Sequence, residues 1–121
     1  MVQRILIVED DPNLRVVIRM VLERAGYEVA EARHGVAGLE SIDRDPPDLV
    51  VADMRMPMMD GVELMDRIRA NPETAYMPIV LLSGLQVDAA AEGLATAVVA
   101  KPFEPADLLA SIARSLRAGG G

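Results

Sequence analysis

Ile5-Leu6-Ile7-Val8-Glu9-Asp10-Asp11-Pro12 decides the fold: an unbroken apolar run, an abrupt acidic stretch, then a proline. A strand that is apolar at every position is buried on both faces, which is how parallel strands covered by helices read. The pattern returns at Leu49-Val50-Val51-Ala52, Ile79-Val80-Leu81-Leu82 and Ala97-Val98-Val99-Ala100, with a more polar version at Tyr27 to Glu31. Helix-period segments fill the gaps. Asp11 is placed to cap a helix with Pro12 in its first turn; Leu14, Val17, Ile18, Val21 and Leu22 then share a face and Gly26 ends it. Val36, Leu39 and Ile42 mark a second helix stopped by Pro46-Pro47, and Leu64, Met65 and Ile68 a third stopped by Asn71-Pro72. The last helix begins near Pro105 and carries Leu108, Leu109, Ile112 and Leu116. Between Ser83 and Ala95, Leu85, Val87 and Leu94 support only a short helix. Strands alternating with helices in this way predict an α/β domain with a doubly wound, mostly parallel sheet and right-handed crossovers.

Composition agrees with one packed domain. The chain has 121 residues, 51% hydrophobic and 26% charged, far from the low-hydrophobicity regime of disorder. The domain is expected over residues 1–118, with 119–121 a flexible glycine tail or the start of a linker. Tyr27, Tyr76 and Phe103 are its only aromatics, so aliphatic side chains fill the core and the composition argues against base stacking on aromatic platforms. A net charge of −7 with scattered basic residues argues against nucleic-acid binding. The absence of cysteine removes disulfides, thiolate metal sites and a thiol nucleophile together. No apolar run approaches the length of a signal-peptide core or a membrane span, and the expectation is a cytoplasmic domain with no membrane partner.

Ligand sites in doubly wound sheets lie at the carboxyl ends of the strands. The residues following the apolar runs there are Glu9-Asp10, Asp53, Ser83 and Lys101. Three acids against one ammonium are unstable together unless neutralised, and a hard divalent cation with oxygen ligands does this. Mg²⁺ fits best, with Mn²⁺ as its close substitute. Without cysteine or a usable Ser–His pair, the candidate nucleophile is a carboxylate, and an Asp beside Mg²⁺ can accept a phosphoryl group. Asp53 stands alone at the end of the middle strand, whereas Glu9 and Asp10 form a pair suited to the metal. Lys101 can balance phosphoryl oxygens as a point charge, and the Ser83 hydroxyl can hydrogen-bond one of them.

The order of these motifs resembles the receiver domain of bacterial two-component response regulators, chemotaxis-regulator-like, from Arg4 to Arg117. Ile5 to Asp11 resembles the family's first strand and acidic pair. Asp53-Met54-Arg55-Met56-Pro57-Met58-Met59-Asp60-Gly61 resembles its phosphoacceptor loop, Leu82-Ser83-Gly84 its hydroxyl switch, and Lys101-Pro102-Phe103 its lysine with the following proline. The resemblance implies a flavodoxin-like (βα)5 fold with a five-stranded parallel sheet. It also implies that Asp53 is phosphorylated by a sensor histidine kinase or a phosphotransfer protein. By the same resemblance Glu9, Asp10, Asp53 and the main-chain carbonyl of Arg55 hold the metal, the Lys101–Pro102 bond is cis, and the only chemistry is the domain's own phosphorylation and dephosphorylation. Its output would be a switched interaction with a downstream protein, as a monomer or a phosphorylation-dependent dimer.

Departures from the family pattern carry expectations of their own. Val98 stands three positions before the lysine, where the family usually has the Phe or Tyr of its switch. The segment from Ser83 to Lys101 is a few residues shorter than usual, so the fourth helix region is trimmed. Arg55 and Leu85 occupy positions that influence hydrolytic water, and neither is suited to orient one, which predicts a long-lived aspartyl phosphate. His34 is expected in an exposed loop, and the methionines at 54, 56, 58 and 59 as packing and loop surface. An aspartate-nucleophile phosphatase would need an acid–base Asp two residues after the nucleophile, where this chain has Arg55. The alternative is a pseudo-receiver that binds partners without phosphorylation; its usual mark is loss of the acceptor or the lysine, and both are present.

Overall fold

The structure, a computed structural model, describes residues 2–84 and 89–120. Ten elements alternate among the described residues: β1 (Arg4–Val8), α1 (Pro12–Arg24), β2 (Glu28–Ala32), α2 (Gly35–Arg44), β3 (Leu49–Asp53), α3 (Gly61–Ala70), β4 (Ile79–Ser83), α4 (Ala89–Leu94), β5 (Ala97–Ala100) and α5 (Pro105–Gly120). All neighbouring strands pair in parallel, in the order β2-β1-β3-β4-β5. The expected doubly wound five-stranded parallel sheet is the fold observed. No helix among the described residues is long and apolar enough to cross a membrane.

Side chains alternate across each strand, so every buried strand serves two cores. Ile5 and Ile7 of β1 pack with Leu49, Val51, Val80 and Leu82 against Ile18 and Leu22 of α1 and Leu108, Ile112 and Leu116 of α5. Leu6 and Val8 pack with Val50, Ala52, Ile79 and Leu81 against Ile42 of α2 and Leu64, Met65 and Ile68 of α3. Each such aliphatic side chain, removed from water, contributes about 1.5–3 kcal/mol before conformational entropy is set against it. Asp11 caps α1 as expected, accepting from the Asn13 N–H, with Pro12 opening the helix.

Several helical faces differ from expectation. Val17 and Val36 are exposed, and the buried positions of α2 are Gly35, Gly38 and Ile42. The reason is close approach: a Cβ on Gly38 would stand 2.9 Å from Val8 Cγ2, and one on Gly35 2.5 Å from Met59 Sδ. That helix meets the sheet and the β3–α3 loop through Gly35, Gly38 and Ile42, not through Val36. β5 is an edge strand in which only Val99 is buried, although its sequence is apolar throughout. His34 lies in the loop before α2 as expected but is half-buried, and it caps that helix, its Nδ1 accepting from the Ala37 N–H at 3.1 Å. α4 is described over 6 residues, against 10 for both α2 and α3. α5 runs to Gly120, past the boundary expected at 118. The expectations attached to Leu85 and Val87 lie outside the described residues.

Candidate functional site

Parallel pairing brings the carboxyl ends of all the strands to one edge. Asp53, the last residue of β3, pairs in register with Leu82, and Ser83, the last residue of β4, with Ala100. Glu9 follows β1, its N–H donating to Ala32 O at 3.0 Å, and Lys101 follows β5, its N–H donating to Ser83 O at 2.8 Å. Glu9, Asp53 and Ser83 are buried. Asp10, exposed, completes a cluster in which one carboxylate oxygen each of Glu9, Asp10 and Asp53 lies within 4.8 Å of the others.

The lysine closes this cluster. Lys101 Nζ stands 2.8 Å from Asp53 Oδ1 and 3.9 Å from Glu9 Oε1. The Lys101–Pro102 bond is cis. The Arg55 N–H approaches Asp53 Oδ1 at 3.4 Å, so the loop after β3 turns back over its own acid. Gly61 makes that turn possible. Its N–H donates to Met54 O at 2.9 Å, and a Cβ there would lie 2.7 Å from Asp53 O and 2.9 Å from Met54 Cα. Asp60 then caps α3, accepting from the Glu63 N–H. Met56 and Met59 are buried in the packing beneath this loop, and Met58, at φ 68°, projects into solvent.

Charge is not balanced within the cluster. Burial pushes the Glu9 carboxyl up to about 8, the neighbouring Asp53 adds to the rise, and the Asp11 N–H, 3.3 Å from Glu9 Oε2, opposes it. Glu9 Oε1 is buried without a hydrogen-bond partner. A buried carboxyl oxygen with no hydrogen-bond partner costs stability unless a cation takes its lone pairs. An oxygen-only donor set with one orphaned member suits a hard divalent ion such as Mg²⁺. Beside the cluster a cavity of about 860 Å³ opens between the β3–α3 loop, including Met54 and Arg55, and Ser83-Gly84. It is large enough for a phosphoryl group and the end of its donor.

The residues expected from sequence are therefore brought together: Glu9, Asp10, Asp53 and Lys101 in direct contact range, Ser83 and Arg55 on the walls of the adjoining cavity. Sequence reasoning missed what lies behind them. Arg15 of α1 donates from Nη1 to Glu9 O at 2.8 Å and from Nε to Glu31 Oε1 at 3.0 Å, and Arg19 engages the other oxygen of Glu31. Arg15 and Glu31 are 16 positions apart in sequence, and no local spacing reports such a contact.

Comparison with known proteins places this geometry in a family. The model of the response regulator receiver domain matches residues 5–113. The transcriptional regulatory protein CseB of Streptomyces coelicolor is 38% identical over 97% of this chain, which corresponds to 52% of that protein. The chain thus spans about half the length of the transcriptional regulators it matches. The sporulation initiation phosphotransferase F of Bacillus subtilis is 31% identical over 84% of both chains. Among solved structures, the receiver domain of the sensor histidine kinase PA1611 from Pseudomonas aeruginosa PAO1 superposes with a TM-score of 0.87 at 30% identity, covering 96% of this chain and 98% of that one. That structure holds a magnesium ion coordinated in its active-site cleft. With the sheet order, the carboxylate cluster and its lysine in place, the chain belongs to the receiver domains of two-component response regulators, signalling domains that work through phosphorylation.

Proposed function

We propose that Asp53 accepts a phosphoryl group from a phosphohistidine of a sensor kinase or phosphotransfer protein, and that this charge switches binding to a downstream protein. The observation that carries the reading is the ammonium of Lys101 held 2.8 Å from the buried Asp53 carboxylate, with two further carboxylates at its side. In the transfer, a carboxylate oxygen of Asp53 forms the new bond to phosphorus as the P–N bond breaks. The electron pair of that bond goes to the departing imidazole, which takes up a proton. Phosphoryl transfer asks the protein mainly for position and charge, and both are supplied here.

Each residue has a defined part. Lys101, already at Asp53 Oδ1, is within reach of a phosphoryl oxygen attached to that carboxyl group and offsets its charge. The Ser83 hydroxyl, on the wall of the cavity, donates to a second oxygen. Glu9, Asp10, Asp53 and the Arg55 carbonyl would hold Mg²⁺ or Mn²⁺, which when bound offsets the carboxylate charges and those of the incoming phosphoryl group. Arg55 stands two residues after Asp53, where an aspartate-nucleophile phosphatase would carry its acid–base Asp, and the chemistry proposed is the gain and loss of the domain's own phosphoryl group. Val98, half exposed on edge strand β5, replaces the usual aromatic, and the readout on this strand is proposed to differ from the common hydroxyl–aromatic coupling. Large NMR shift changes centred on Val98 upon phosphorylation would contradict that part.

Acetyl phosphate with and without Mg²⁺, read by intact-protein mass on the wild type and Asp53→Asn, tests the reading. A Mg²⁺-dependent adduct on the wild type alone is expected. No adduct under any condition would instead favour a module that binds its partners without phosphorylation.

A further inference from the structure

The peptide unit joining Glu9 to Asp10 sits between two proposed metal ligands, so its orientation aims both carboxylates. It lies beyond the end of β1. The unit before it is fixed by the sheet, the Glu9 N–H donating to Ala32 O at 3.0 Å. The unit itself is fixed by a side chain: its carbonyl, Glu9 O, accepts from Arg15 Nη1 at 2.8 Å. Arg15 is itself immobilised, its Nε on Glu31 Oε1 at 3.0 Å and the other Glu31 oxygen engaged by Arg19. Both members of the Arg15–Glu31 pair are largely covered, with side chains 20% and 27% exposed.

We infer that Arg15 is a positioning residue for the metal site: its planar fork ties the Glu9–Asp10 peptide to Glu31 of β2 and so presets the two carboxylates for a divalent cation. The inference rests on the proposed metal site and deepens it. Only guanidinium geometry meets the requirement, because Nε and Nη1 must donate in different directions at once, and a lysine ammonium on a flexible stem cannot hold both acceptors in a fixed plane. Groups that orient metal ligands from behind typically change affinity by about 10–100-fold when removed.

Electrostatics alone predicts the opposite sign, and this makes the inference testable. Removing a cation near an acidic cluster strengthens cation binding if charge is all that Arg15 supplies. The experiment is Mn²⁺ binding to the full chain at one fixed pH, followed by the paramagnetic resonance of free Mn²⁺, for wild type, Asp10→Asn, Arg15→Gln and Arg15→Lys. Thermal melts of the metal-free proteins accompany each titration. Wild type is expected to bind and Asp10→Asn to bind poorly; if wild type binds no Mn²⁺, the metal-site reading itself fails. Given that binding, Arg15→Gln and Arg15→Lys should each weaken it by about 10-fold or more while remaining folded. Unchanged or tighter binding in Arg15→Gln, or wild-type binding in Arg15→Lys, overturns the inference. Failure of both variants to fold would assign Arg15 to the fold instead of the site and would equally overturn it.

Discussion

Replacing Gly61 by Ala separates the structure's account from a reading of helix propensity. Gly61 is the first residue of α3, and Ala is favoured over Gly within helices by about 1 kcal/mol, so propensity alone predicts a more stable protein. The geometry predicts the reverse. The added methyl would lie 2.7 Å from Asp53 O and 2.9 Å from Met54 Cα, both backbone atoms, and 2.9 Å from Leu81 Cδ1. Leu81 is fully buried and Asp53 is in the sheet ladder, so neither side yields without moving the β3–α3 loop. Overpacking of this kind costs about 1–3 kcal/mol, which exceeds the propensity gain. Gly93 in α4 is the matched control, since among the described residues a Cβ there meets nothing within 4 Å. Gly93→Ala should therefore stabilise by up to about 1 kcal/mol. The assay is urea unfolding of both variants, with the rate of Mg²⁺-dependent phosphorylation measured alongside. Gly61→Ala is expected to be destabilised and slower to phosphorylate, because its clash is with the main chain of Asp53, the proposed acceptor. A Gly61→Ala protein as stable and as quickly phosphorylated as wild type would refute the close-approach argument.

Glu9, raised to about 8, holds a proton in the metal-free fold that its unfolded form has lost, so between the ordinary carboxylate range and about pH 8 the folded state binds more protons. Metal-free stability should accordingly fall as pH rises through that window; Glu9→Gln should flatten the slope, and equal melting-temperature slopes in the two proteins would contradict the assignment. Divalent binding must displace the same proton, so Mg²⁺ affinity should rise up to about pH 8, with proton release measurable in weakly buffered solution. Lys101→Met should slow phosphorylation by acetyl phosphate by about 100-fold, as loss of one preorganised charge donor does elsewhere; a wild-type rate would remove the lysine from its role. If Arg55 occupies the proposed water-orienting position, which it is unsuited to fill, the phosphorylated protein should persist well beyond minutes, and loss within seconds of removing the donor would reject that.

The parts of the fold legible in the sequence were those governed by short periods. Continuous apolar runs marked β1, β3 and β4 because central parallel strands are buried on both faces, and the acids and hydroxyl just beyond them marked the site. The same rule overreached at β5, where an apolar run sits on a sheet edge and leaves Val98 exposed. Helix faces were harder where burial comes from smallness: Gly35 and Gly38 seat α2 against Met59 and Val8, and no hydrophobicity pattern registers a missing side chain. Met59, from the β3–α3 loop, thereby packs on the helix that His34 caps, a link between candidate site and scaffold that spacing does not show. Arg15, Glu31 and Arg19 were invisible for a different cause. Their pairing depends on how α1 crosses β2, which tertiary packing alone determines.

The most direct measurement is to phosphorylate the full chain with a small-molecule donor and Mg²⁺, trap the acyl phosphate by borohydride reduction, and map the modified residue by peptide mass spectrometry. Reduction at Asp53 alone, absent without Mg²⁺, is the predicted result. Modification at Glu9 or Asp10, or none in a protein shown to be folded and metal-loaded, would contradict the assignment of the acceptor.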